Sequence, residues 1–130
     1  MAGSTPETMH EHFMQAFNSG DLDQLMELYE PGAVIIHQDG SLAEGKEQVH
    51  AVMQGFMALN GPIDLRPLHV MTTGDVALIV SHWSLDGTGA DGNPLSLASN
   101  TMEVVRRGDD GSWRYVIDNP WGAPPPESAA

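Results

Sequence analysis

Apolar residues recur along the first third of the chain at the three-and-four spacing of an amphipathic helix. Met9, Phe13, Ala16 and Phe17 form one stripe, and Leu22, Leu25, Met26 and Tyr29 form a second. Ser4-Thr5-Pro6-Glu7 supplies a capping hydroxyl, a proline tolerated in the first turn and an acid that complements the helix dipole. Asn18-Ser19-Gly20 stops the first helix, and Asp21 with Gln24 three residues on resembles the N-cap pair of the second. Pro31-Gly32 ends that helix and hands over to Val34-Ile35-Ile36-His37, a β-branched run that predicts a strand. Beyond the turn at Asp39-Gly40, Val49, Val52, Met53 and Phe56 share one face. A third helix is expected over 46–60, terminated by Asn60-Gly61-Pro62.

The remainder reads as strands, over 63–71, 75–85, 95–107 and 113–118. Their separators are Thr73-Gly74-Asp75, the Gly-rich stretch 86–94 and Gly108-Asp109-Asp110-Gly111, each short enough for a hairpin. Helices followed by a strand meander predict an α+β fold with an antiparallel sheet. No internal repeat is present, and three consecutive prolines in 123–130 mark that segment as a flexible tail, leaving one domain over 5–122. In the strand from Val76 to Leu85, Ala77, Ile79, Ser81 and Trp83 alternate with Val76, Leu78, Val80, His82 and Ser84. Neither face is plainly polar. Three helices cover one side of a sheet, so a second subunit is expected on the other, as a homodimer through the sheet.

The 130 residues suit one domain with its own core, and 41% hydrophobic against 18% charged residues is the balance of a folded chain. Five Lys and Arg against 18 Asp and Glu give a net charge of −13. Such a field repels phosphate backbones and anionic headgroups, so neither nucleic acid nor a membrane surface is an expected partner. It also favours a neutral or cationic ligand over an anionic one. The absence of cysteine excludes disulfides, a thiolate nucleophile and Cys-based metal sites. The first residues lack the basic and apolar regions of a signal peptide, and no apolar run reaches the roughly 20 residues of a membrane helix. A cytoplasmic location is the resulting expectation.

The closing segment Gly111-Ser112-Trp113-Arg114-Tyr115-Val116-Ile117-Asp118-Asn119-Pro120-Trp121-Gly122 follows the order helix, helix, strand, helix, meander. Earlier landmarks are 16–23, 28–34, Gly45-Lys46-Glu47, Gly74-Asp75-Val76-Ala77 and 101–107. Together they resemble the nuclear transport factor 2-like superfamily, and within it the SnoaL-like, ketosteroid-isomerase-like branch often labelled SgcJ-type. The resemblance implies a cone: a strongly curved antiparallel sheet wrapped around three helices, with an internal pocket and dimerisation through the sheet. That superfamily hosts isomerases, cyclases, dehydratases, epoxide hydrolases and inert binding or association domains, so function is argued from the pocket.

In such a cone, the candidates by position are Tyr29, His37, Asn100, Asp118 and Trp121. His37, closing an apolar strand, is the proton-transfer candidate near neutral pH. Asp118 is the second base, its pKa raised if buried, although simple alternation groups it with Arg114 and Val116 and turns it outward unless a bulge intervenes. Asn100 shares a face with Met102 and Val104 and is expected to face the core as an oxyanion donor; Tyr29 is a second polar fixer and Trp121 a stacking platform. Asp39 or Asp118 with Tyr29 would supply the residue types of a carboxylate base and its hydroxyl donor. The histidines at 10, 12, 50, 69 and 82 have no metal-ligand spacing, and no Gly-x-Gly-x-x-Gly fingerprint occurs, so no metal and no cofactor are expected. The expectation is a small-molecule-binding protein, with isomerase, cyclase or dehydratase chemistry on a small, mostly apolar, neutral substrate. The alternative is a non-catalytic ligand-binding or dimerisation module.

Overall fold

A computed structural model of the protein describes residues 4–122. The tail expected over 123–130 lies outside the described residues. Thr5 opens the first turn, its backbone N–H donating to Thr8 Oγ1 at 3.0 Å, and Pro6–Thr8 forms a 3₁₀ turn that leads into α1, Met9–Asn18. The apolar stripe of α1 is buried as predicted. Asp21 caps α2, Leu22–Met26, by accepting from the Gln24 N–H at 3.0 Å. Tyr29 begins β1, Tyr29–Ile36, where the apolar spacing had placed it at the end of the second helix. A three-residue β2, Leu42–Glu44, which the sequence pattern did not reveal, pairs with β1 before α3, Lys46–Met57. The meander follows as β3, Ile63–Thr73; β4, Val76–Thr88; β5, Pro94–Arg107; and β6, Trp113–Asn119.

The six strands form one open sheet in the order β2-β1-β6-β5-β4-β3. Its pairs are antiparallel except β1 with β6, which run parallel, so the sheet is mixed where a purely antiparallel one was expected. The physical reason is connectivity. Hairpins force antiparallel neighbours, but β1 and β6 are separated by most of the chain and nothing fixes their relative direction.

The three helices cover one face. Against them β4 presents Ala77, Ile79, Ser81, Trp83 and Leu85, all buried, which is the alternation the sequence predicts. Asn18, at the end of α1, brackets Ile63 by accepting from its N–H at 2.8 Å and donating to its carbonyl at 3.1 Å, tying α1 to β3. Two β-bulges reset the alternation. Leu68 is the extra residue of β3, between Pro67 opposite Ser81 and His69 opposite Val80. Val116 is the extra residue of β6, because Val104 and Val105 of β5 face Ile117 and Tyr115. The second bulge decides what the helix-facing side of the sheet contains.

Candidate active site

Before the bulge, Trp113 and Tyr115 point at the helices; after it, Ile117 turns out to 40% exposure and Asp118 turns in to 4%. Asp118 is thus a core residue, contrary to strict alternation. Register then builds the site in rows across the inner face. One row runs Ala77, Val105, Tyr115, Tyr29, and the next runs Ile79, Glu103, Asp118, Ile35. Glu103 and Asp118 are directly opposed cross-strand neighbours, both buried at 4% exposure. The Tyr29 hydroxyl reaches over from the adjacent row and donates to Asp118 Oδ2 at 2.6 Å. Ser81 and Thr101 face each other in the following row, both buried. Their hydroxyls make no hydrogen bond of good geometry, yet stand near Glu103 and Asp118 respectively and favour their charged forms.

This polar cluster forms the floor of a cavity roofed by Phe13 and Phe17 of α1 and by Met53 and Phe56 of α3. Trp83, Ile63 and Leu65 complete the apolar wall. The volume is about 30 Å³, room for on the order of one or two waters. At the rim Trp121 packs on Trp83 with ring centroids 5.3 Å apart and on Phe56 at 6.4 Å. The Trp83 indole N–H donates to the Pro120 carbonyl, so β4 holds the segment that carries Trp121.

Two carboxyls in a dry site cannot both ionise cheaply. Burial pushes the Asp118 carboxyl up to about 6, against the opposing pull of the Tyr29 and Thr101 hydroxyls. Burial, and then the negative charge of Asp118, pushes Glu103 well above the usual carboxylate range. The Tyr29 and Tyr115 phenols are raised by burial and by the same two acids, so both stay protonated donors. A carboxylate that ionises near neutrality and a second acid that holds its proton therefore face one apolar cavity, and a buried phenol outside its lining is bonded to the first.

The structure separates the other candidates from this centre. His37 sits half-buried at the β1–β2 turn, lining a separate groove of about 600 Å³ with Asp39, Met102, Asn119 and Trp121 rather than the cavity above Asp118. Asp39 is a turn residue whose carboxyl accepts from the Ser41 N–H and hydroxyl, which hold its pKa below the usual range. Asn100 is exposed on the outer face, its Oδ1 2.9 Å from Nδ1 of His82, so it cannot serve as a core-facing donor. The face it shares with Met102 and Val104 is the outer one; Thr101, Glu103 and Val105 are the inward residues of β5. Glu103 was the residue missed, although an acid two positions from Val105 in an apolar strand was the available signal. Among the described residues no three His, Asp or Glu side chains stand together to hold a metal, and no helix is long and apolar enough to cross a membrane.

A mixed sheet curled over three helices, with ionisable groups buried between them, is the architecture of the cone-shaped nuclear transport factor 2-like proteins. The chain belongs to the SnoaL-like domain family, whose model matches residues 10–116. Among solved structures it is similar to a ketosteroid isomerase-like protein from Erwinia carotovora atroseptica, with a TM-score of 0.75 and 20% identity over 87% of this chain and 89% of that one. It is similar also to a putative calcium/calmodulin-dependent protein kinase type II association domain from Thiobacillus denitrificans, with a TM-score of 0.72 and 21% identity over 92% and 98% of the two chains. A nuclear transport factor 2-like superfamily protein from Salmonella enterica gives a TM-score of 0.74 and 15% identity over 93% and 92%. No curated protein matches the chain. At these identities the likeness shows the fold.

Proposed function

We propose that the protein binds a small, largely apolar molecule in this cavity and moves a proton on it, as an isomerase, cyclase or dehydratase does. Asp118 is the base, Glu103 the acid that holds a proton beside it, and Tyr29 the donor that fixes the Asp118 carboxylate. The observation that carries this reading is the 2.6 Å contact between Tyr29 and Asp118 with Glu103 in register alongside. A base is most effective when its pKa lies near the working pH, and burial supplies that here. His37 has no part in the reaction, because it does not line the cavity.

One observation favours the non-catalytic alternative: the cavity measures only about 30 Å³, so a ligand larger than a water or two enters only if its apolar wall gives way. A single experiment separates the two. Exchange of α-protons for deuterium is followed by NMR in heavy water for a panel of small cyclic ketones, with and without amino substituents. The wild type should exchange at least one of them above the buffer rate, and Asp118→Asn should lose on the order of a hundredfold of that rate. Equal exchange by wild type and Asp118→Asn would remove the assignment. We further infer that two copies pair through the outer face of the sheet, where Met71, Val76, Leu78 and Ile117 are 37% to 52% exposed.

A further inference from the structure

Among the described residues the carboxyl pair has no counter-ion. The chain has five Lys and Arg residues, and none lines the cavity. Arg66, Arg106, Arg107 and Arg114 are each paired at the surface, with Asp64, Glu30, Asp75 and Asp110 respectively. Lys46 is exposed at the first position of α3. Among the described residues the two opposed acids are therefore buried under aromatic rings with hydroxyls for partners, and keeping protons relieves their repulsion. A ligand could relieve it instead.

Three further features define what such a ligand carries. Thr101 Oγ1 is buried on the cavity wall beside Asp118, and a hydroxyl turned toward that carboxyl keeps its own lone pairs as an acceptor. An alkylammonium group offers three N–H donors and no acceptor, which matches an acceptor set of Asp118, Glu103 and Thr101. Phe13, Phe17, Phe56 and Trp83 surround the same space, and aromatic faces attract cations while accommodating the ring or chain attached to them. The chain's charge of −13 draws cations toward the mouth and repels anions. We infer that the cavity takes a ligand bearing a protonated primary amine on a small apolar body, with the ammonium group on Asp118, Glu103 and Thr101. This rests on the reading of the cavity as the ligand site, and it specifies the charge class of that ligand.

The test is a charge series on one ring. Benzylammonium, benzyl alcohol and benzoate are titrated into the full chain by calorimetry at neutral pH. Benzylammonium should bind at least about tenfold more tightly than either of the others. Its binding should also release protons, seen as a dependence of the heat on the ionisation enthalpy of the buffer, because the cation replaces protons on the acid pair. Glu103→Gln and Thr101→Val should each reduce the preference for the amine over benzyl alcohol about tenfold or more, with a thermal melt of each variant checking that the fold is retained. Benzyl alcohol or benzoate binding as tightly as the amine, amine binding without proton release, or no binding by any of the three overturns the inference. Deuterium exchange dependent on Asp118 can succeed while the charge series fails, or the reverse, so the two readings stand or fall separately.

Discussion

Asp118 spends its folded life in a place where ionisation is costly, and the sign of that cost is measurable. A carboxyl whose folded pKa is raised binds its proton more firmly in the native state than in the unfolded one. Its contribution is therefore fully present at acid pH and is lost as pH rises through the folded value of about 6. Raising a fully buried carboxyl from the ordinary range to about 6 corresponds to about 3 kcal/mol. Glu103 acts in the same direction. Glu30, Asp39, Asp91 and Asp110 act oppositely, since hydrogen bonds from Arg106, Ser41, Asn93 and Arg114 lower their pKa values and their contributions fade as pH falls below about 4. We expect urea melts of the wild type to lose stability as pH rises from about 4, the ordinary range of unfolded carboxyls, through about 6, and Asp118→Asn to lessen that decline while Glu103 carries the rest. A wild-type curve flat over this interval would contradict a buried acid pair. Tyr29 and Asp118 were both identifiable from the sequence as residue types for proton transfer. Their contact was not, because alternation flips at Val116, a bulge with neither glycine nor proline to mark it. Asn100 was turned the wrong way because alternation along β5 separates Asn100, Met102 and Val104 from Thr101, Glu103 and Val105 without saying which set meets the helices.

The helices were legible because their spacing, caps and stops agree, as Asp21 with Gln24 and the buried stripe of α1 show. The short β2 was not, since three residues carry too little alternation to register and its pairing with β1 is long-range information. The connection from α3 into β3 illustrates a constraint that glycine satisfies and periodicity does not disclose. Leu59 accepts from the Thr88 N–H at 2.6 Å, pressing the end of the α3 turn onto β4. A Cβ on Gly61 would stand 1.8 Å from the Asp86 carbonyl oxygen, and one on Gly87 would stand 2.3 Å from that of Leu59. Both neighbours are backbone and cannot rotate away. Gly61→Ala should therefore destabilise the fold by several kcal/mol, roughly 3 or more, through displacement of the loop that sets Ile63 and Leu65 in the cavity wall. Gly55→Ala is the matched control: its Cβ meets nothing within 4 Å inside α3, and it should stabilise by a few tenths to about 1 kcal/mol. Thermal melts of the two variants measure the contrast, and equal melting temperatures would show that the close approach carries no weight.

The helix-facing side of the sheet is accounted for, and the side facing away is what remains to be covered. Register lines up Met71, Leu78, Val104, Ile117 and Val34 in one row from β3 to β1, and the adjacent row runs His69, Val80, Met102 and Asn119. Such a band is continuous across five strands, whereas a sheet face designed for water alternates in polar residues. A stable interface removes about 800 Å² per partner, so an interface on this face takes in the residues flanking the apolar row. The band is framed by Arg106 and Arg114, already engaged by Glu30 and Asp110, and by His69 and His82 on the other side. It faces away from the cavity, so pairing through it leaves both ligand sites open. Each chain brings a charge of −13 to the pair, and long-range repulsion between the copies is screened by salt over about 10 Å at 0.1 M. Association should therefore strengthen as ionic strength rises, the reverse of an interface held by opposite charges. Sedimentation velocity should find the wild type as a dimer and Leu78→Glu as a monomer, because the new carboxylate would be buried opposite a second copy of itself. Leu78 is 37% exposed in the single chain, so the substitution leaves the core untouched and the melting profile of the monomer should show one cooperative transition. A wild type that sediments as a monomer in high salt, or a Leu78→Glu variant that remains dimeric, would assign the band to another role.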